Sequence, residues 1–215
     1  MSLLVAIESS SNEYRVVIGR DGEVVFDSSI DECELPFRTL SALLSCGLER
    51  TNASASEIKG IAINIGPGSL TFVRAGISFV NALAFSLKVS IYPFNWFEII
   101  AAQTKDATEL PVICAVPASN DNAYVGLIRR DAVEIMRFGP LPEAFAKVNG
   151  GVTDAAVAGR IRHKLAALLA KAVDTGIETP DAQVLLRLAH QAWKDGGRST
   201  TQVEALNDQS NIFYE

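Results

Sequence analysis

The sequence is poor in the residues that most enzyme chemistry draws on. It holds two histidines, His163 and His190, and neither has a histidine partner at the four-residue step used by zinc peptidases. Both are expected to be structural or solvent-facing. The three cysteines, Cys33, Cys46 and Cys114, are widely spaced and make no paired metal motif. They are expected as reduced thiols in a cytoplasmic protein, with Cys46 and Cys114 as small core residues. No Gly-Lys-Ser/Thr phosphate loop, no G-x-G-x-x-G and no G-x-S-x-G elbow occurs. Positive charge is also scarce: the formal net charge of −6 argues against a general nucleic-acid-binding surface. The opening MSLLVAIESS lacks a basic leader and its apolar run is too short for a signal peptide.

What is present is apolar. Hydrophobic residues make up 48% of the chain and charged ones only 20%, so a sizeable core is expected and global disorder is not. The chain is organised around residues 60–87. Residues 60–65, GIAINI, have the β-branched pattern of a buried strand. Gly66, Pro67, Gly68 and Ser69 then form a turn: the glycines open backbone angles closed to other residues, and Pro67 stiffens the bend. Ser69 is placed to cap a helix of about five turns. In that helix Leu70, Val73, Ile77, Val80, Ala84 and Leu87 form one stripe, and Phe72, Gly76, Phe79 and Leu83 a second. A helix packed on a sheet needs roughly one such stripe. The second is expected to be covered elsewhere, in this chain or another, and the small residues Ala75, Gly76, Ser78 and Ala82 would admit a close neighbour. Arg74, Ser78, Asn81 and Ser86 interrupt the helix, which points to burial in protein rather than in a bilayer.

Around this centre the pattern repeats. Residues 3–7, 14–18 and 23–26 read as strands, with a hairpin signal at Asp21-Gly22. Residues 111–116, 123–128 and 132–138 repeat that order, and Ser11-Asn12-Glu13-Tyr14 echoes Ser119-Asn120-Asp121-Asn122-Ala123-Tyr124. Two like-built halves are expected, 1–103 and 104–215, unless two ordinary meanders coincide. A first helix is expected over 36–48, opened by Pro36, with Phe37, Leu40, Leu44 and Leu48 on one stripe and Leu43 and Cys46 off it. Further helices are expected over 96–103, 142–148, 154–173 and 182–194, followed by a polar, loosely held tail.

Two places carry possible chemistry. The Gly66–Ser69 turn is either an anion site, where free amides and a helix dipole point outward, or a sharp structural bend. Glu8 ends the first strand beside three serines and is either a carboxylate that orders a metal or water near a phosphate, or a solvated strand-end residue. A two-halved phosphotransferase would want a second acid near Pro117, where none stands before Asp121.

The run Gly66-Pro67-Gly68-Ser69-Leu70-Thr71-Phe72-Val73-Arg74-Ala75-Gly76 closely resembles the G-P-G-S-F-T-G-x-R-x-G signature of the TsaB (YeaZ) family. Those proteins are subunits of the machinery that makes threonylcarbamoyladenosine in tRNA. The opening LLVAIESS resembles the family's I-D-T-S strand and turn. Residues 115–124 resemble its A-x-D-A-R-x-x-x-x-Y stretch, and Pro180-Asp181-Ala182 its last helix. Departures fall at Glu8, Phe72, Pro117 and Ser119, where the family has Asp, Gly, Asp and Arg. The resemblance implies an α/β, actin-like fold of two ribonuclease-H-like halves, the second reduced. It implies a non-catalytic cytoplasmic scaffold with no metal, cofactor or membrane partner of its own. Its expected partners are a TsaD-type catalytic subunit and a TsaE-type ATPase, with homodimers in isolation and tRNA met only indirectly. The first two long helices would form the interface, through Phe37, Leu40, Leu43, Leu44, Phe72, Ala75, Gly76, Phe79 and Leu83. The alternatives are an actin-like enzyme that binds ATP alone and a homodimer without the tRNA role.

Overall fold

The structure, a computed structural model, describes residues 2–214. Among them two five-stranded sheets are built to one plan. The first holds β1 (Leu3–Glu8), β2 (Arg15–Arg20), β3 (Glu23–Asp27), β4 (Ile58–Asn64) and β5 (Ser90–Phe94) in the order β3-β2-β1-β4-β5. The second holds β6 (Val112–Pro117), β7 (Asn122–Arg129), β8 (Ala132–Pro140), β9 (Asp154–Ala158) and β10 (Lys171–Asp174). Read from β8 its order is β8-β7-β6-β9-β10, strand for strand the order of the first. In both, the first three strands are antiparallel and the last two run parallel to the first. The expected duplication is therefore a duplication of topology, and the chain has the actin-like α/β fold of two ribonuclease-H-like halves.

Helices α1 (Leu40–Arg50), α2 (Leu70–Leu87) and α6 (Ala182–Lys194) pack with the first sheet, and α3 (Trp96–Thr104), α4 (Leu141–Asn149) and α5 (Arg162–Ala166) with the second. The strand alternation sets the faces. Ile18 meets α1 at Gly47, while its neighbour Gly19 turns the other way and leaves room for Leu186 of α6. A Cβ on Gly19 would lie 2.6 Å from that leucine. Gly126 of β7 does the same for Phe97 of α3. Each half's closing helix thus serves the other sheet. The compact units are Met1–Asn95 with Asp181–Ala205, and Trp96–Pro180 with Leu206–Glu215. The division at 103/104 is corrected accordingly: α3 moves into the second unit because its aromatic face is cut for the notch in β7. The second half is the reduced one, since α5 has 5 residues where α2 has 18.

Other differences have local causes. The first helix begins at Leu40, not Pro36, because the Thr39 side chain accepts from Ala42 N at 3.3 Å and caps it there. Phe37 is left outside the helix, 76% exposed. Residues 154–173 are not one helix. Ala155, Ala156, Val157 and Ala158 are fully buried in a strand between β6 and β10, where tertiary burial overrides the helix preference of alanine. Cys33 and Cys46 are not free thiols but a disulfide with a Cα separation of 6.4 Å. The chain before α1 folds back along that helix, a juxtaposition that spacing alone does not reveal. Cys114 is buried, and burial pushes its thiol pKa far up, so it is inert.

The tail is not loosely held. Thr200 exchanges both backbone hydrogen bonds with Ile91, at 2.8 and 2.9 Å, and so covers the outer edge of β5. Arg198 donates to Pro93 O and lies 4.5 Å over the Phe94 ring. Asn81 of α2 then pairs its side-chain amide with the backbone of Val203, giving and receiving at 3.0 Å. This seats Val203 in the first core and explains the one amide on α2. Replacing Asn81 with Leu is expected to destabilise the chain by about 1–3 kcal/mol, because the Val203 amide and carbonyl lose their partners. Limited proteolysis checks this: new cleavage is expected within residues 198–205.

Candidate functional site

The end of β1 and the end of β4 lie side by side, since these strands pair in parallel with Ile7 opposite Ile63. That register brings Glu8 and Asn64 together although 56 residues separate them. Glu8 is only 2% exposed, so it is not a solvated strand end. Its Oε1 accepts from Ser10 N and Ser10 Oγ, both at 2.6 Å, and its Oε2 accepts from Asn64 Nδ2 at 2.6 Å. Burial raises its pKa above the ordinary value, opposed by the donors from Ser10 and Asn64.

The chain of bonds continues into the glycine turn. Asn64 Oδ1 accepts from Gly66 N at 2.9 Å, and Ser10 O accepts from Ser69 N at 2.9 Å. Gly68 presses on Ser10 so closely that a Cβ there would lie 2.6 Å from the Ser10 carbonyl oxygen. Gly76, about two turns further on in α2, rests on the Ser9 hydroxyl, which is buried without a hydrogen-bond partner. Gly66 and Pro67 are buried. The turn is therefore a clamp between the β1 loop and α2, with amides of Gly66 and Ser69 already committed to internal acceptors. Ser69 occupies the cap position but its side chain makes no capping bond. This geometry favours the structural bend over the anion site. The sequence singled out Glu8 and the turn; it missed Asn64, whose only signal was an amide at the end of a buried β-branched strand.

The matching place in the second half is differently built. β6 ends on the exposed Pro117, and the turn behind it closes on itself through Ala118 N to Asn122 O. Asp121 lies exposed on that turn with a φ of 58°. Among the described residues no three His, Cys, Asp or Glu side chains group as a metal site would.

The second feature is the surface of α2. Only Val73, Gly76, Ile77, Val80 and Ala84 of its 18 residues are buried. By length and composition it could cross a membrane. Thr71, Arg74, Ala75, Ser78, Ala82, Phe85 and Ser86 are exposed, recurring at three- and four-residue steps, with Phe85 at 86%. Phe72, Phe79 and Leu83 are half-buried along the border of this stripe; Phe72 also packs on Tyr14, ring centres 4.9 Å apart. The residues expected at an interface divide between core and surface. Leu40, Leu43, Leu44 and Gly76 are buried in their own unit, because α1 turns its leucines onto β2 and β3. Phe37, Ala75 and the half-buried trio remain at the surface, joined by Ala82 and Phe85.

Two matched sheets and a glycine clamp set on the buried Glu8 define an actin-like α/β protein. Residues 38–191 match the family described as TsaD, tRNA N6-adenosine threonylcarbamoyltransferase, and the chain belongs to that family. It is 25% identical over 207 residues to the tRNA N6-adenosine threonylcarbamoyltransferase of Trichlorobacter lovleyi, covering 88% of this chain and 55% of that protein. To the enzyme of the same name from Geotalea uraniireducens it is 28% identical over 142 residues, covering 57% and 41%. The chain therefore spans about half the length of the curated relatives it matches or less. Among solved structures it resembles YeaZ from Pseudomonas aeruginosa, with a TM-score of 0.75 and 24% identity over 96% of this chain and all of that one. A Pseudomonas aeruginosa protein described as similar to the peptidase YeaZ gives a TM-score of 0.78 at 22% identity, covering 97% and 100%. The TsaB-like resemblance carried by the glycine signature thus holds at the level of fold.

Two outcomes are expected at this site. Gly68→Ala should cost about 1–3 kcal/mol, because the added carbon meets fixed backbone rather than a side chain that can move; urea unfolding measures it. The raised native pKa of Glu8 means that the folded state favours its protonated form. Its contribution is complete below the ordinary carboxylate pKa and is lost as pH rises through the raised value. The stability gap between the native chain and Glu8→Ala should therefore narrow as pH rises from the acid side, and a gap that widens would contradict the assignment.

Proposed function

We propose that this chain is a non-catalytic subunit of the system that forms threonylcarbamoyladenosine in tRNA. The exposed stripe of α2 docks on a TsaD-type catalytic subunit. A TsaE-type ATPase works with that pair, tRNA is met only through it, and the chain alone self-associates through the same stripe. Its place in this reading is the cytoplasm. The observation that carries it is the 18-residue apolar helix of which only five residues are buried by the chain itself. Small residues along the stripe let a second helix approach closely, and Phe85 is a large side chain with no cover. Burying a phenylalanine at such a contact contributes about 1.5–3 kcal/mol.

The family description favours a second reading, in which the chain is itself a transferase. Against it stand Glu8, wholly engaged in holding the clamp, and Pro117 where a second acid would be wanted. Titration of the chain with Mg-ATP separates the two: the scaffold reading expects no tight binding and no turnover.

The docking test uses Ala75→Arg and Ala82→Arg, both exposed and clear of the clamp. The native chain should co-elute with a TsaD-type subunit from a sizing column. Each variant should weaken that association at least about tenfold, while its melting temperature stays unchanged. Variants that co-elute as the native chain does would remove α2 from the interface.

A further inference from the structure

We propose that Cys33–Cys46 is a reversible thiol–disulfide switch that sets the order of the segment before α1. Three observations support it. The bond joins a chain segment to a helix, not two elements of the core, and closes a loop of sequence separation 13. Residues 32–38 belong to no helix or strand. Apart from the disulfide they are held by Arg50 Nη1 donating to Glu32 O at 2.9 Å, by Arg38 reaching back to Ser28 O, and by the half-buried Leu35. Second, both sulfurs belong to half-buried residues and border an open groove with Leu35, Ala42, Ser45 and Glu49, so a small thiol can reach them. Cys114, by contrast, is 0% exposed. Third, the segment carries a large apolar side chain out in solvent, Phe37 at 76%. Once untied, it gains freedom and loses little packing.

The exchange is two successive thiolate displacements. An external thiolate attacks one sulfur, forming a mixed disulfide and expelling the other cysteine as thiolate. A second external thiol then attacks the mixed disulfide, releasing the oxidised external disulfide and the second cysteine. Two external thiols are oxidised and one protein disulfide is reduced; a low-molecular-weight disulfide such as oxidised glutathione drives the reverse. With the bond closed, the segment is pinned along α1. With it open, the segment swings free while β1, β4 and the clamp at Glu8 are untouched. The switch does not depend on the docking proposed above.

The test is made on the full chain. Alkylation after denaturation should label Cys114 alone in the oxidised chain and all the cysteines after reduction, and the change should reverse in a glutathione buffer of the opposite poise. Amides of residues 32–38 should exchange about tenfold faster or more in the reduced chain, with those of β1 and β4 unaltered. Reduction should lower the melting temperature by on the order of 5 °C, as expected for opening a loop of this length. Cys33→Ser, in the loop, should reproduce the reduced state without any reductant. A chain whose cysteines all label after mild oxidation, or whose segment exchanges equally in both states, overturns the proposal.

Discussion

The buried side chain of Glu8 holds the end of β1 and the glycine turn of the first half together. It takes three donors from Ser10 and Asn64, and the same two residues pass the constraint on to the amides of Gly66 and Ser69. An acid at such a depth is stable only when its oxygens are satisfied, and here they are satisfied by the two loops that must be kept in contact. The direction in which α2 leaves the sheet follows from this. Gly68 and Gly76 let the helix sit directly on Ser10 and Ser9, where side chains would hold it away.

From that anchoring comes the contrast between the halves. Both sheets follow one plan, and both have a glycine after the fourth strand at a φ of 97°, Gly66 and Gly159. In the second half that glycine opens a five-residue helix; in the first it opens one of 18 residues. The first half therefore has more apolar helix than its own sheet can cover. The acid that ends β1 has no counterpart at the end of β6, where Pro117 stands. The first half has kept the frame, a rigid bend and a surplus surface. The docking proposal rests on that surplus surface.

Much of this was legible in the residues. The strand–turn–helix at 60–87, the two meanders and the last helix were marked by β-branched runs, paired turn residues and three- and four-residue spacing, all local signals. The glycine signature pointed most specifically to the fold's relatives. What stayed hidden depended on distant partners. Asn64 meets Glu8 only through the β1–β4 register. Asn81 read as a polar blemish until the tail at Val203 paired with it. The strand over 154–158 was masked by alanines, and the swap of α3 and α6 between units leaves no mark in sequence beyond Gly19 and Gly126. Spacing likewise showed that α2 has two apolar faces but not that Leu40, Leu43 and Leu44 of α1 already belong to the core.

The most direct test of the central claim is reconstitution of the tRNA reaction, following formation of threonylcarbamoyladenosine. The chain is added in place of a YeaZ-type subunit to a TsaD-type subunit and a TsaE-type ATPase. The account predicts product only when the TsaD-type subunit is present, and none from this chain with the ATPase alone. Product formed by the chain without that subunit would contradict it.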